Sequence, residues 1–167
     1  MGLKIKTGTY TIAIDMTKEK IIALLPYSDP FLFVDELEHL DEDGVTGSYT
    51  YQEDAYFYKG HFIDNPVTPG VILTETMAQI GLVCLGIFLM QDKFVAGTKL
   101  PAMAMVANET EYFKPVFPGE RVIVTSKKIY FRFGKLKCAV EMRNEEQELI
   151  CKGTIAGMIA RKQIEKT

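Results

Sequence analysis

The chain has 167 residues, 47% hydrophobic and 25% charged, and its 19 basic and 22 acidic residues sum to a formal charge of −3. This is enough chain for one domain with a sizeable core, and the balance excludes collagen-like, low-complexity and disordered classes. The basic surplus of a nucleic-acid binder is missing, and the longest apolar run, Ile80–Met90, is far shorter than the roughly 20 residues of a membrane span.

In chain order, the first sixteen residues read as an extension with no apolar targeting stretch, in which Thr9–Asp15 alternates weakly as a strand. Thr17–Leu25 predicts a short helix, capped by Asp15 or Thr17 and stopped by Pro26. Phe31–Leu40 and Val45–Gln52 predict two strands around the acidic turn at 41–44. Glu53–Thr68, with Gly60, Pro66 and the Asp64-Asn65 pair, reads as irregular.

Pro69–Met90 is the one long helix, apolar on every side and therefore expected to be wrapped by other elements. Ala102–Phe113, Glu120–Phe133, Lys135–Arg143 and Glu148–Ala160 then predict long strands joined by short turns. In Lys135–Arg143 the apolar Leu136, Cys138, Val140 and Met142 alternate with Lys135, Lys137, Glu141 and Arg143, the pattern of a half-buried antiparallel strand. One buried helix with such a run of strands is an α+β arrangement, a sheet curled around a helix. GxGxxG, GxxxxGK[ST] and GxSxG are all absent, which argues against dinucleotide binding, P-loop chemistry and a serine hydrolase. Cys84, Cys138 and Cys151 form no CxxC pair and have only two histidines to assist them, so they read as reduced thiols of a soluble cytoplasmic protein.

The chemistry concentrates in residues 60–79, GHFIDNPVTPGVILTETMAQ. Thr68 is the expected N-cap and Pro69 the first helical residue, which leaves the backbone N–H groups of Gly70 and Val71 near the helix start as donors to a polarised oxygen. The Thr68 hydroxyl is a competing acceptor for one of them. Glu75 and Gln79 share a helix face at i, i+4, and burial there pushes a carboxyl toward its neutral form, as a general acid requires. His61 in the preceding loop is a candidate proton shuttle. Each residue alone has a commoner structural role; their convergence within twenty residues is what points to a site. Tyr56, Phe57, Tyr58 and Phe62 crowd the same loop as core or as the wall of an apolar tunnel, while His39 follows an acidic strand and faces solvent.

Three segments, LLPYSDPFLFVD at 24–35, GHF…P..PGV…E.MAQ at 60–79 and FKPVFPGE at 113–120, resemble in order and spacing the 3-hydroxyacyl-[acyl-carrier-protein] dehydratases of the FabZ type. The resemblance spans residues 17–161, leaving residues 1–16 as an N-terminal extension and 162–167 as a tail. It implies the hotdog fold, an antiparallel sheet wrapped around a long central helix. It also implies dehydration of a (3R)-3-hydroxyacyl thioester, carried by acyl carrier protein or coenzyme A, without metal or organic cofactor. On the family pattern His61 and Glu75 are the catalytic pair, Gly70, with Val71, polarises the thioester carbonyl, and Gln79 steadies Glu75. Family members are homodimers with shared active sites, or hexamers built as trimers of dimers.

Two positions depart from the family pattern. Pro26-Tyr27-Ser28 stands where Pro-His-Arg is usual, and Ile63-Asp64 stands where Pro-Gly is usual. Neither touches His61 or Glu75; both bear on acyl-chain preference, so housekeeping fatty-acid synthesis and a specialised polyene or pigment chain stay equally open. Glu75, where related isomerases carry Asp, lowers the isomerase reading. The alternatives are a hotdog acyl thioesterase, with Glu75 activating water, and a non-catalytic acyl-binding paralogue. Lys114, Arg121, Arg132 and Lys135 are candidate basic contacts for an acidic carrier, although ordinary solvated charge is the commoner role of any one of them.

Overall fold

The computed structural model describes residues 16–93 and 100–160, so the predicted strand Thr9–Asp15, Asp15 as a cap and the tail 162–167 lie outside the described residues. Helix α1 (Lys18–Ala23) is capped by Thr17, whose hydroxyl accepts from Lys20 N at 3.3 Å. Six strands follow the predicted order: β1 (Glu36–Leu40), β2 (Gly44–Thr50), β3 (Met103–Tyr112), β4 (Arg121–Arg132), β5 (Lys135–Asn144) and β6 (Leu149–Ile159). They form one sheet in the order β1-β2-β4-β5-β6-β3, with every neighbouring pair antiparallel.

The long helix α2 runs Gly70–Leu89 and is buried in the concavity of the sheet. Its length and apolarity match a membrane span, but here it is the core helix. Leu136, Cys138, Val140 and Met142 all turn inward and are at most 1% exposed, as their alternation predicts. They meet Met77, Ile80, Leu82 and Leu85 of α2 in one hydrophobic cluster. The middle of α2, Gln79–Cys84, is wound as a π-helix. Ser126 of β4 donates to the Gly81 carbonyl there at 2.7 Å. A Cβ on Gly81 would lie 3.0 Å from Ser126 Cβ and 3.1 Å from Val140 Cγ1, so glycine lets helix and sheet approach at this point.

The first strand is shorter than its sequence suggests. Phe31–Val34 is apolar and β-prone, yet it does not join the ladder, which the chain first meets where Asp35 N–H donates to Ser48 O at 2.9 Å. The Phe31 carbonyl and the Phe33 N–H are instead taken by the Gln79 side chain of α2. The two edges of the sheet differ in kind. β1 is five residues long and carries Glu36, Glu38 and His39. β3 is ten residues long, exposed along nearly its whole length, and shows Met105, Val106 and Tyr112 to solvent.

Candidate active site

The predicted site residues sit on two elements, the loop after the 3-10 turn Tyr56–Lys59 and the first turns of α2. The loop is folded on itself: His61 N–H donates to Phe57 O at 2.9 Å, Val67 N–H to His61 O at 2.9 Å, and Phe62 and Asn65 exchange backbone hydrogen bonds. Within it, His61 Nδ1 lies 2.8 Å from the Val67 carbonyl. A carbonyl can only accept, so Nδ1 carries the proton and Nε2 of the neutral ring is the basic nitrogen. Phe62 stacks on the imidazole with ring centroids 4.0 Å apart, which fixes the ring plane.

The cap of α2 differs from the sequence expectation. The N-cap is Pro69, and the helix begins at Gly70. The Thr68 hydroxyl is 2.6 Å from the buried Tyr58 hydroxyl, and Thr68 N–H donates to Val116 O, so that side chain is committed to the wall behind the loop. The consequence favours the site. Ile72 and Leu73 N–H both bond the Pro69 carbonyl, and among the described residues no acceptor meets the N–H groups of Gly70 and Val71. Gly70 is half-buried beside the Tyr112 ring, 3.3 Å from where a Cβ would stand, and Val71 is 75% exposed. Tyr112 is held there by Thr74, whose hydroxyl meets its own.

Deeper along α2, Gln79 is fully buried and uses both ends of its amide. Its Oε1 accepts from Phe33 N–H at 2.8 Å, and its Nε2 donates to Phe31 O and to Glu75 Oε1, each at 3.0 Å. The i, i+4 pair is therefore in contact and anchored to the 31–33 segment. Partial burial raises the Glu75 carboxyl above its ordinary range, and the Gln79 hydrogen bond opposes that shift. Gln79 takes one carboxyl oxygen, leaving Oε2 for a ligand. Tyr27, half-buried, is pushed up to about 12, first by burial and next by the nearby Glu75 charge.

The structure thus brings Glu75 and Gln79 together and sets Gly70 and Val71 at the open helix start. His61 and Glu75 make no hydrogen bond within the chain. Sequence reasoning missed the clamp from Phe31–Phe33 and the Tyr112–Thr74 wall over Gly70. The first had a visible signal, the apolar segment before β1 whose backbone partners went unassigned; the second had none. Of the four basic candidates, Lys114 pairs with Glu148, and Arg121 pairs with Glu36 and Glu38. Among the described residues Arg132 and Lys135 join no ion pair. His39 is exposed and meets Asp41, as expected of a surface residue.

A family model described as the FabA-like domain matches residues 25–153. The 3-hydroxyacyl-[acyl-carrier-protein] dehydratase FabZ of Caldicellulosiruptor bescii is 30% identical over 138 residues, covering 82% of this chain and 94% of that relative. Its counterpart from Brucella ovis is 30% identical over 145 residues, covering 85% and 87%. Among solved structures, the dehydratase heterocomplex ApeI:P from Xenorhabdus doucetiae superposes with a TM-score of 0.70 at 12% identity, over 85% of this chain and 91% of that one. A hypothetical thioesterase with coenzyme A from Streptococcus pneumoniae TIGR4 gives 0.53 at 12% identity, over 75% and 84%. At such identities the likeness is one of fold, and the fold is the hotdog arrangement that the sequence predicts.

Proposed function

The chain belongs to the FabA-like family, and on that premise we propose that it is a 3-hydroxyacyl-[acyl-carrier-protein] dehydratase. It converts a (3R)-3-hydroxyacyl thioester to the trans-2-enoyl thioester and water, in fatty-acid or related acyl-chain synthesis in the cytoplasm. The observation that carries the reading is the complementary wiring of two side chains. His61 gives Nδ1 to Val67 and keeps Nε2 basic, while Glu75 gives one oxygen to Gln79 and is held toward its neutral form.

The difficulty of the reaction is a weakly acidic C2 proton beside a poor leaving group. With the thioester oxygen on the Gly70 N–H, and Val71 assisting, negative charge that develops on that oxygen meets donors that no acceptor among the described residues takes. In other enzymes one such donor is worth roughly 2.7–4 kcal/mol. His61 Nε2 takes the C2 proton, the C2–C3 double bond forms, and the C3–O bond breaks as Glu75 protonates the departing hydroxyl to water. The imidazolium then returns its proton to the Glu75 carboxylate, and the site is reset. Gln79 orients Glu75 throughout.

A dimer follows from the same reading. A ten-residue exposed edge with apolar side chains is a template for strand pairing, and short, charged β1 is not. Two copies paired antiparallel along β3 form one continuous sheet. The active site then combines His61 of one protomer with Glu75 of the other, which accounts for the lack of contact between them in a single chain. Trimers of such dimers give the hexamer. The thioesterase reading needs Glu75 ionised as a base, and its burial works against that.

The test is the reverse reaction, followed as loss of the conjugated enoyl absorbance. Hydration by wild type and loss of it in both His61→Ala and Glu75→Gln support the dehydratase. Release of free thiol by wild type transfers the assignment to a thioesterase, and inertness across chain lengths and carriers removes the enzyme claim.

A further inference from the structure

Three tyrosine–threonine hydroxyl pairs line the first turns of α2: Tyr58 with Thr68, Tyr51 with Thr76, and Tyr112 with Thr74. Two hydroxyls in contact share one hydrogen bond, so one of their protons lies between the oxygens and the other points elsewhere. For Tyr51 and Thr76 the direction is settled by the helix. The Thr76 hydroxyl donates to the Ile72 carbonyl at 2.9 Å, one turn back, and therefore accepts from Tyr51. Tyr51 is 1% exposed and keeps no free proton.

The Thr74 pair has the opposite polarity. Thr74 is 7% exposed, and among the described residues its hydroxyl meets no main-chain carbonyl and no partner other than the Tyr112 oxygen. With Tyr112 as donor, the Thr74 proton would be buried without an acceptor, so Thr74 donates and Tyr112 accepts. Tyr112 is the half-exposed member, and its own proton has no acceptor among the described residues. That proton sits at the open helix start. The Cε1 and Cζ atoms of Tyr112 lie 3.3 Å, and its oxygen 3.7 Å, from where a Cβ of Gly70 would stand, so the hydroxyl end of the ring faces Gly70. Thr74 follows Gly70 by one helical turn, which ties the phenol to the element that carries the two unpaired N–H groups. The backbone of Tyr112 is held in turn by β3, where it pairs with Cys151.

We propose that the Tyr112 hydroxyl, oriented by Thr74, is a third hydrogen-bond donor to the thioester oxygen, beside the N–H groups of Gly70 and Val71. The assignment rests on the dehydratase reading and deepens it: Tyr112 is a catalytic residue, and Thr74 is a positioning residue that acts through it. No proton is transferred by either. The phenol O–H binds the oxygen more strongly as the C2 proton leaves and negative charge develops there, so its contribution enters kcat rather than KM. Gly70, Thr74 and Tyr112 belong to one chain, and the Tyr112 side chain lies on the α2 side of the sheet. The donor set is therefore the same whichever protomer supplies His61.

Tyr112→Phe in the full-length protein keeps the ring over Gly70 and removes only the hydroxyl. In the enoyl hydration assay it lowers kcat about tenfold to a hundredfold, with KM within about twofold of wild type. Thr74→Val lowers kcat about threefold to tenfold, Thr74→Ser retains wild-type turnover, and the double variant Tyr112→Phe, Thr74→Val is no slower than Tyr112→Phe alone. A readout independent of turnover is the infrared carbonyl stretch of a bound saturated acyl-pantetheine thioester, which moves to higher wavenumber in Tyr112→Phe as a donor is lost. Wild-type kcat in Tyr112→Phe, a rise in KM at constant kcat, a carbonyl stretch that stays in place, or activity losses that follow falls in the urea midpoint across the variants would each overturn the assignment. A wild type that hydrates no enoyl thioester, but whose carbonyl stretch shifts on Tyr112→Phe, overturns the dehydratase reading and leaves the third donor standing.

Discussion

Gln79→Leu tests the wiring of the site most directly. The change keeps a side chain of similar size in a fully buried position and removes three hydrogen bonds, to Phe33 N–H, Phe31 O and Glu75 Oε1. Glu75 can turn to water, so its loss enters catalysis more than stability. The Phe33 N–H and the Phe31 carbonyl are left facing an apolar side chain. Orphaning a buried backbone group costs about 1–3 kcal/mol, so the two together give about 2–6 kcal/mol. Against a domain stability of about 5–15 kcal/mol, that is a large shift of the urea midpoint in a protein that still folds. The catalytic effect has a separate sign. The Gln79 hydrogen bond holds the Glu75 carboxyl down against the upward push of burial, so losing it raises that carboxyl further. The alkaline limb of the dehydration pH profile, where Glu75 loses the proton it must donate, then moves to higher pH. Urea denaturation followed by circular dichroism reads the first effect, and kcat/KM for dehydration across pH reads the second. A stability change below about 0.5 kcal/mol, or an alkaline limb that stays where it was, would refute the reasoning.

His61→Ala should reduce dehydration by about 10²–10⁴-fold with little change in the urea midpoint, and retention of more than a tenth of wild-type turnover excludes His61 as the base. Glu75→Gln removes a carboxyl whose folded pKa is raised, so the stabilisation associated with its neutral form is fully present at acid pH and is lost as pH rises through the folded value. Wild type therefore falls behind the variant in alkaline urea titrations, and parallel stability curves from acid to alkaline pH contradict the shift. Gly81→Ala forces a methyl to within 3.0 Å of Ser126 Cβ and costs about 1–3 kcal/mol in thermal or urea unfolding; neutrality would show that helix and sheet can separate there. Met105→Glu on the exposed β3 edge should yield a monomer by analytical ultracentrifugation that is also inactive, and an active monomer would rule out a site shared between protomers.

Much of this architecture was legible before folding because it rests on period and local chemistry. The alternation from Leu136 to Met142 reports a sheet with one buried face, and a stretch from Pro69 with apolar residues on every side reads as a wrapped helix. Glu75 and Gln79 were recognisable as partners because four residues bring side chains onto one helix face, whatever surrounds it. The errors came where a tertiary partner outbid a local rule. Phe31–Val34 has strand composition, but Phe31 O and Phe33 N–H are claimed by Gln79, 46 residues on from Phe33 in sequence. Thr68 is a good cap by type, yet the Tyr58 hydroxyl takes its side chain.

The sequence by itself determined the layered α+β arrangement and the residue types able to move protons, since both follow from spacing along the chain. Only the tertiary structure decided which polar groups remain available. Nδ1 of His61 and the cations of Lys114 and Arg121 are each consumed by partners distant in sequence or created by a particular turn. The N–H groups of Gly70 and Val71 are left without any among the described residues. A hydrogen bond or an ion pair saturates the groups that make it, so the chemistry of a site depends on what folding leaves unpaired, and composition does not encode that remainder.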